Sequence, residues 1–156
     1  MHFYELFARP SSAKWTQGVQ ALNQFSDGFP ILVASTASLD ELNKRLHAQG
    51  ETAVNMRRFR ANVVLGGAMA HDEDRIGTMT IGTVQLRPVK PCPRCPIPNI
   101  NPDSAQTHPA VSDTLQVYRQ DARVNGAVTF GMNCIPLAGV GQVLRVGQRV
   151  TADWAF

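Results

Sequence analysis

The sequence predicts a mainly β fold, a closed or partly closed β-barrel with a few short peripheral helices. Three features support this class: many short β-branched runs, frequent glycine turns, and only two segments with helical periodicity. Short strands separated by turn signals are typical of barrels rather than of parallel α/β sheets. A length of 156 residues suits one domain, so residues 1–156 are expected to form a single domain.

The first third of the chain predicts two strands and the clearest helix. Residues 3–8 are a possible strand, and the apolar run at 31–34 predicts a short buried one. The helix is predicted to start at Ser38, with Glu41 completing a capping box, and to end at Gly50. One apolar stripe at helical spacing is expected to face the core, namely Leu39, Leu42 and Leu46.

The middle of the chain predicts strands that lead into a proline-rich loop. Residues 62–65 are β-branched and end at a Gly-Gly pair. Between residues 78 and 89, Val84 and Leu86 alternate with polar neighbours, which indicates a half-buried strand. Prolines then recur from position 88 to 109, and each fixes φ and lacks a backbone N–H. This segment is therefore predicted to be a loop.

The last third predicts one short helix and several strands. Residues 112–119 are predicted to be helical, with Ser112 as the cap and with Leu115 and Tyr118 facing inward. Glycine turns separate the predicted strands at 127–130, 141–146 and 149–154.

Charge and hydropathy exclude some classes of partner. The net charge is +3, from 15 basic and 12 acidic residues, which is too small an excess to indicate nucleic-acid binding. No apolar run approaches the roughly 20 residues that a membrane helix needs, and the N-terminus does not resemble a signal peptide. We therefore expect a cytoplasmic protein with no membrane partner.

Basic residues cluster in two places that are more informative than the net charge. Such clusters bind phosphate or lower the pKa of a neighbouring thiol, although a solvated surface is the alternative interpretation for each arginine. The first cluster consists of Arg57, Arg58 and Arg60, and the second, beside the cysteines, of Arg87, Lys90 and Arg94.

The cysteines allow four interpretations. Without a signal peptide a disulfide framework is not expected, so Cys92 and Cys95 are candidates for metal or redox chemistry. A structural zinc site needs two further ligands, and the third cysteine, Cys134, is not part of a second close pair. A thioredoxin-type pair begins a helix, which Pro96 and Pro98 disfavour. One thiolate could instead bind the metal of an external cofactor, or both thiols could be structural and inert.

Several short motifs, in one order, resemble the MOSC domain, a family named after the C-terminal domain of molybdenum cofactor sulfurase. The family includes mitochondrial amidoxime-reducing components and YcbX-like bacterial proteins. The resemblance covers residues 25–150 and is carried by FSDGFP (25–30), ASLDEL (37–42), RFRAN (58–62), DED (72–74), CPRC (92–95), YR (118–119), FGMN (130–133) and VG (146–147).

This resemblance implies a MOSC-type β-barrel that binds a molybdenum–molybdopterin cofactor. It implies that Cys95, the second cysteine of its motif, is both the metal ligand and the catalytic residue, and that Cys92 is structural. Guanidinium groups and turn amides suit a pterin phosphate. The implied cofactor contacts are Arg58, Arg60 and Asn62 of the RFRAN motif, Asp27, Gly28 and Phe29 of the preceding turn, and Arg94.

The resemblance also implies an oxidoreductase. Its substrate would be a small N-hydroxylated compound or another N- or S-oxide, and a separate protein would donate the electrons. A persulfide on the same cysteine would instead make the domain a carrier of sulfur or of the cofactor. Ala61 and Pro93 replace a proline and a serine of the family motifs, and the paired threonines that follow the family's cysteines are absent. We also expect the chain to lack the separate N-terminal barrel of YcbX-like proteins.

Overall fold

The computed structural model describes residues 8–23 and 28–155. Its helices are α1 (Ala13–Thr16), α2 (Thr36–Ala48) and α3 (Ala110–Tyr118), with 3₁₀ turns at Met56–Arg58, Asp72–Arg75, Ile97–Asn99 and Ala122–Val124. Its strands are β1 (Arg9–Pro10), β2 (Leu22–Asn23), β3 (Ile31–Ser35), β4 (Val63–Leu65), β5 (Ile76–Ile81), β6 (Val84–Pro93), β7 (Gln120–Asp121), β8 (Ala127–Ala138) and β9 (Val150–Trp154). The predicted strand at 3–8 lies outside the described residues except for its last position.

The strands form one curled sheet, a half-barrel with few helices, which confirms the mainly β prediction. The strand order is β4-β3-β8-β6-β5-β9, and β7 pairs with β8 beside this path. The β3–β4 pair is parallel and the other pairs of the sheet are antiparallel. Strands β1 and β2 form a separate antiparallel pair.

Apolar side chains form two clusters. The first includes Val33, Met79, Leu86 and Met132, which come from four strands of the curled sheet. The second lies where α2 and α3 pack against the sheet, and its fully buried members are Ala34, Leu42, Leu46, Phe59, Val111, Leu115 and Phe130. The predicted leucine stripe of α2 is confirmed, since Leu42 and Leu46 are fully buried and Leu39 packs beside them.

Both predicted helix caps are wrong, although both helices are present. Helix α2 begins two residues early, at Thr36, and the Ser35 hydroxyl, not Ser38, caps it by accepting a hydrogen bond from the Ser38 N–H at 3.1 Å. The predicted capping box is absent, and Glu41 pairs instead with Arg45 one turn along the helix. At α3 the side-chain oxygen of Asn99 accepts a hydrogen bond from the Ser112 N–H at 3.0 Å.

The proline-rich segment is not a loop throughout, because β6 continues as a strand through its first three prolines. Its register against β8 shifts between Pro88 and Lys90 and again between Pro91 and Pro93. Such bulges interrupt the ladder where a proline supplies no N–H. In addition, β6 pairs with β5 only as far as Leu86, so beyond that point its single neighbour among the described strands is β8.

The predicted strand boundaries near the C-terminus need two corrections. Strand β8 does not stop at Gly131 but continues to Ala138. Gly131 has φ +75°, and a Cβ at this position would lie 2.6 Å from the Val33 carbonyl oxygen, so a glycine is needed where β3 approaches. Residues 141–146 are not a strand, and Val143 and Val146 are exposed. The predicted last strand is confirmed as β9.

Candidate functional site

A cavity of about 540 Å³, here called the cysteine pocket, lies where β6 ends. Strand β6 and the residues after it provide one wall, and the segments before β3 and β4 provide the others. Its charged side chains are all cationic among the residues that the structure describes. The lining residues are Gly28, Phe29, Pro30, Leu32, Phe59, Arg60, Asn62, Lys90, Cys92, Pro93, Arg94, Cys95, Ile97 and Asn133.

The three thiols have different environments. Cys95 is exposed and lines the pocket two residues beyond the end of β6. Cys92 is half-buried, and its sulfur accepts a hydrogen bond from Arg94 Nη1 at 3.2 Å. Cys134 is buried in the core, and burial raises the pKa of its thiol. Only Cys95 therefore combines exposure with a place in the pocket wall.

Arg94 is held in place by several contacts. Its backbone N–H donates to the Val128 carbonyl at 2.8 Å, and Nη2 donates to the Phe59 carbonyl at 3.2 Å. The guanidinium group lies 5.6 Å from the centroid of the Phe59 ring. Its Nε is buried and has no hydrogen-bond partner in the described part of the chain. The sequence places this arginine beside both cysteines, but its hydrogen bond to sulfur goes to Cys92.

The polar residues of the RFRAN motif line two neighbouring cavities. Arg60 lines the cysteine pocket, and its φ of +57° lies in the left-handed region, which is uncommon for a residue with a long side chain. Asn62 also lines the pocket, but its Oδ1 accepts a hydrogen bond from the Leu32 N–H at 2.8 Å. Because that oxygen is already used, the side chain has its NH₂ group left to offer a ligand.

Arg58 does not line the cysteine pocket, and it shares a cavity with Arg60 but not with the other described residues predicted to contact the cofactor. It lines a neighbouring cavity of about 450 Å³ with Arg57, and its Nη1 donates to the Pro98 carbonyl at 3.1 Å. Arg60 borders both cavities. Gly28 and Phe29, which were predicted as cofactor contacts, lie in the wall of the cysteine pocket, whereas Asp27 lies outside the described residues.

Two polar residues of the pocket wall, Lys90 and Asn133, were not predicted as ligand-binding residues. Lys90 Nζ lies 5.5 Å from the Trp15 ring centroid and 5.8 Å from that of Phe29. Asn133 of β8 lies opposite Lys90 and also lines the pocket. In the sequence, Lys90 is recognisable only as a basic residue near the cysteines. The direction of its side chain depends on the bulge in β6. Asn133 belongs to the FGMN motif, so the motif resemblance could have identified it as a candidate ligand-binding residue.

The acidic DED motif does not line the pocket but forms what we call the internal network. Glu73 is fully buried and accepts hydrogen bonds from the hydroxyls of Ser35, at 2.9 Å, and Ser38, at 2.7 Å. Asp74 forms an ion pair with Arg119 at 2.7 Å, and both side chains are largely buried. These acidic residues therefore connect the 3₁₀ turn to the start of α2 and to the end of α3 rather than to a ligand.

The pocket fits a ligand that brings its own metal. No group of three or more His, Cys, Asp or Glu side chains in the described chain is arranged to hold a metal ion. A molybdopterin supplies sulfur ligands of its own, so it requires from the protein one soft ligand and donors for its polar edge and phosphate. An exposed thiol, two guanidinium groups and a lysine line a cavity within the usual range of roughly 300–1,000 Å³ for ligand sites.

Comparison with known proteins identifies the family of the chain. The MOSC domain model matches residues 21–151, most of the chain, so the chain belongs to the MOSC domain family. Over 123 residues the chain is 35% identical to "Mitochondrial amidoxime-reducing component 1" of Mus musculus, an alignment that covers 76% of this chain and 35% of that protein.

Two further relatives extend the comparison. "Mitochondrial amidoxime reducing component 2" of Homo sapiens is 36% identical over 98 residues, which are 61% of this chain and 28% of that protein. "Molybdenum cofactor sulfurase" of Arabidopsis thaliana is 31% identical over 115 residues, which are 69% of this chain and 14% of that protein. The chain therefore matches about a third or less of the length of these relatives.

Within residues 8–23 and 28–155, no helix is both long enough and apolar enough to cross a lipid bilayer.

Proposed function

We propose that this MOSC domain binds a molybdenum–molybdopterin cofactor in the cysteine pocket, with the Cys95 thiolate as the metal ligand from the protein. The observation that carries the proposal is the exposed Cys95 thiol in a pocket whose charged groups, among the described residues, are all cationic. Family membership and the relatives named for amidoxime reduction and for molybdenum cofactor sulfuration support the same ligand.

The residues of the pocket have separable tasks in this proposal. Arg60 and the NH₂ group of Asn62 donate hydrogen bonds to the pterin or its phosphate. Gly28 and Phe29 form the wall opposite β6, and Asp27 is proposed as a further contact of the same turn. Arg94 anchors Cys92 to the Phe59 carbonyl and so fixes the chain that presents Cys95. Arg58 is proposed to contact the cofactor from the adjoining cavity, which it lines together with Arg60.

We propose that the loaded protein reduces N-hydroxylated compounds, or related N- and S-oxides. The reaction consumes two electrons and two protons per N–O bond and releases the reduced nitrogen compound and water. The bound cofactor would supply the two-electron oxygen-transfer chemistry, and a separate protein would supply the electrons. The task of this chain is to bind the cofactor and to keep Cys95 positioned at an open pocket that a small substrate can enter.

The test is expression of the full chain in a host that makes the cofactor. We expect the purified protein to contain molybdenum and pterin near one per chain, and to reduce benzamidoxime with an artificial reductant. Bound cofactor without turnover would contradict the oxidoreductase proposal and leave the binding proposal intact. Absence of both molybdenum and pterin would contradict the binding proposal.

A second candidate function is a carrier of sulfur or of the cofactor, favoured by the similarity to a molybdenum cofactor sulfurase and by the exposure of Cys95. This function requires a persulfide, or a cofactor that is released to another protein. Intact-mass measurement of protein purified without reductant would show an added sulfur atom, about 32 Da, on Cys95. A mass without this addition, in protein that retains the cofactor through dialysis, would contradict it.

A further inference from the structure

Lys90 is held at the pocket by aromatic rings rather than by an acid. Its Nζ lies over the faces of two rings, 5.5 Å from the centroid of Trp15 and 5.8 Å from that of Phe29. A ring face attracts an ammonium group but leaves its three N–H donors free for oxygen acceptors. In the described part of the chain, no carboxylate forms an ion pair with Lys90 and no oxygen accepts a hydrogen bond from it. The rings therefore fix the position of the charge without neutralising it.

A second donor lies beside this ammonium group. The register shift between Pro88 and Lys90 places Lys90 directly opposite Asn133 on β8. Side chains at opposed positions of antiparallel strands share a face, with Cβ atoms about 4.5–5.5 Å apart. Both residues line the cysteine pocket, and bulges commonly redirect a side chain toward a site. The bulge thus places an ammonium group and an amide together in the pocket wall.

We propose that Lys90 and Asn133 form an oxyanion-binding site within the cysteine pocket, with Trp15 and Phe29 as the clamp of the ammonium group. The ligand group is a phosphate or a carboxylate, because three ammonium donors and an amide N–H match such oxygens. Two molecules could carry it: the cofactor, through its phosphate, or the substrate, through a carboxylate. The identity of the larger molecule rests on the proposed function, whereas the anion site itself does not.

The first test uses cofactor-free protein and inorganic pyrophosphate, with binding measured by calorimetry at low salt. Lys14 provides the matched control, because its Nζ also lies 5.5 Å from the Trp15 ring but does not line the pocket. We expect Lys90→Met to weaken binding by about tenfold or more, Lys90→Arg to retain most of it, and Lys14→Met to change it less than about twofold. Equal binding by wild type and Lys90→Met, equal losses in both lysine variants, or no binding by wild type would overturn the proposal.

A second test separates the two sources of the anion after expression in a cofactor-producing host. If the phosphate of the cofactor is the ligand, the molybdenum content falls in Lys90→Met and not in Lys14→Met. If a substrate carboxylate is the ligand, molybdenum is retained, while KM rises at least about fivefold for 4-carboxybenzamidoxime and stays unchanged for benzamidoxime. If neither the molybdenum content nor the KM values differ between Lys90→Met and wild type, the proposed anion site is contradicted. Wild-type protein without molybdenum would contradict the proposed function, and the pyrophosphate result would then decide the site alone.

Discussion

The internal network and the cysteine pocket contain similar kinds of polar groups but use them in opposite ways. In the internal network Glu73 accepts two serine hydroxyls, and Asp74 is paired with Arg119. In the cysteine pocket Arg60 and Lys90 have no acidic partner among the described residues. Buried polar groups need partners within the protein, whereas unpaired cations at an open cavity are available to an anionic ligand. Changes to the network should therefore alter stability, and changes to the pocket should alter binding.

The largest expected effect is the loss of the buried ion pair. Arg119→Ala leaves Asp74 buried and unpaired, and it should lower the free energy of unfolding by about 3–5 kcal/mol. Arg57→Ala removes a comparable contact with Asp103, but both of those side chains are 64% exposed, so its cost should stay under about 1 kcal/mol. Urea unfolding at neutral pH compares the two. Equal losses of unfolding free energy in the two variants would contradict the proposed difference between the buried and the exposed ion pair.

The next effect concerns the buried carboxyl group of Glu73. Glu73→Ala removes the acceptor of two serine hydroxyls and leaves a cavity, so it should cost about 2–3 kcal/mol. Asp153→Ala, an exposed position on β9, should cost less than about 0.5 kcal/mol. The same urea experiment measures both. In the folded fraction, Glu73→Ala should bind pyrophosphate as wild type does, and a selective loss of binding would show that the two regions are not independent.

A smaller effect should appear as a dependence of stability on pH. Burial, together with the nearby Arg119, lowers the pKa of His71 from its usual 6.5 to about 4. Between pH 4 and pH 6.5 the imidazole of His71 binds a proton more readily in the unfolded chain than in the folded one. The stability that the neutral imidazole contributes is therefore present above pH 6.5 and is lost as the pH falls toward 4. We expect a loss of about 1–2 kcal/mol between pH 7.5 and 4.5, reduced from the full value because the ring is partly solvated.

The control for this dependence is His71→Asn, since asparagine tolerates the left-handed φ of +65° at that position. The urea midpoint of this variant should decline less steeply with falling pH than that of wild type. Parallel declines in the two proteins would show that other groups cause the acid sensitivity.

A reactivity measurement sharpens the comparison without a mutation. Cys95 is exposed in the pocket, whereas Cys134 is buried in the core with its pKa raised by burial. In native protein at pH 8, iodoacetamide should modify Cys95 quickly and Cys134 only after unfolding. Peptide mass spectrometry over time distinguishes the two thiols. Rapid modification of Cys134 in the native state would contradict the described core.

Local patterns in the sequence were sufficient for much of the fold. The leucine stripe of α2 and the alternation of Val84 and Leu86 are properties of single elements, and both are confirmed. The path of β6 through its prolines was missed because a proline is tolerated where a strand has one neighbour, and neighbours are not visible in the sequence. Residues 141–146 carry a strand-like pattern but have no pairing partner among the described strands, so the pattern alone was insufficient.

The candidate site shows the same limit. Motif resemblance selected Arg60, Asn62, Arg94 and Cys95, and the structure places all four around one cavity. The resemblance could not show that the oxygen of Asn62 already accepts a hydrogen bond from the Leu32 N–H. Nor could it show that Arg58 lines a different cavity. The direction of Lys90 depends on a bulge and on two rings from distant parts of the chain. Such contacts arise from packing and leave no local signature.

The most direct test of the central claim compares two cysteines of one motif. Cys95→Ser and Cys92→Ser are expressed in the same cofactor-producing host as wild type, and molybdenum per folded chain is measured by elemental analysis. We predict that Cys95→Ser loses at least about nine-tenths of the metal, because it removes the thiolate ligand, whereas Cys92→Ser keeps most of it. A wild-type level of molybdenum in Cys95→Ser, or an equal loss in both variants, would contradict the account.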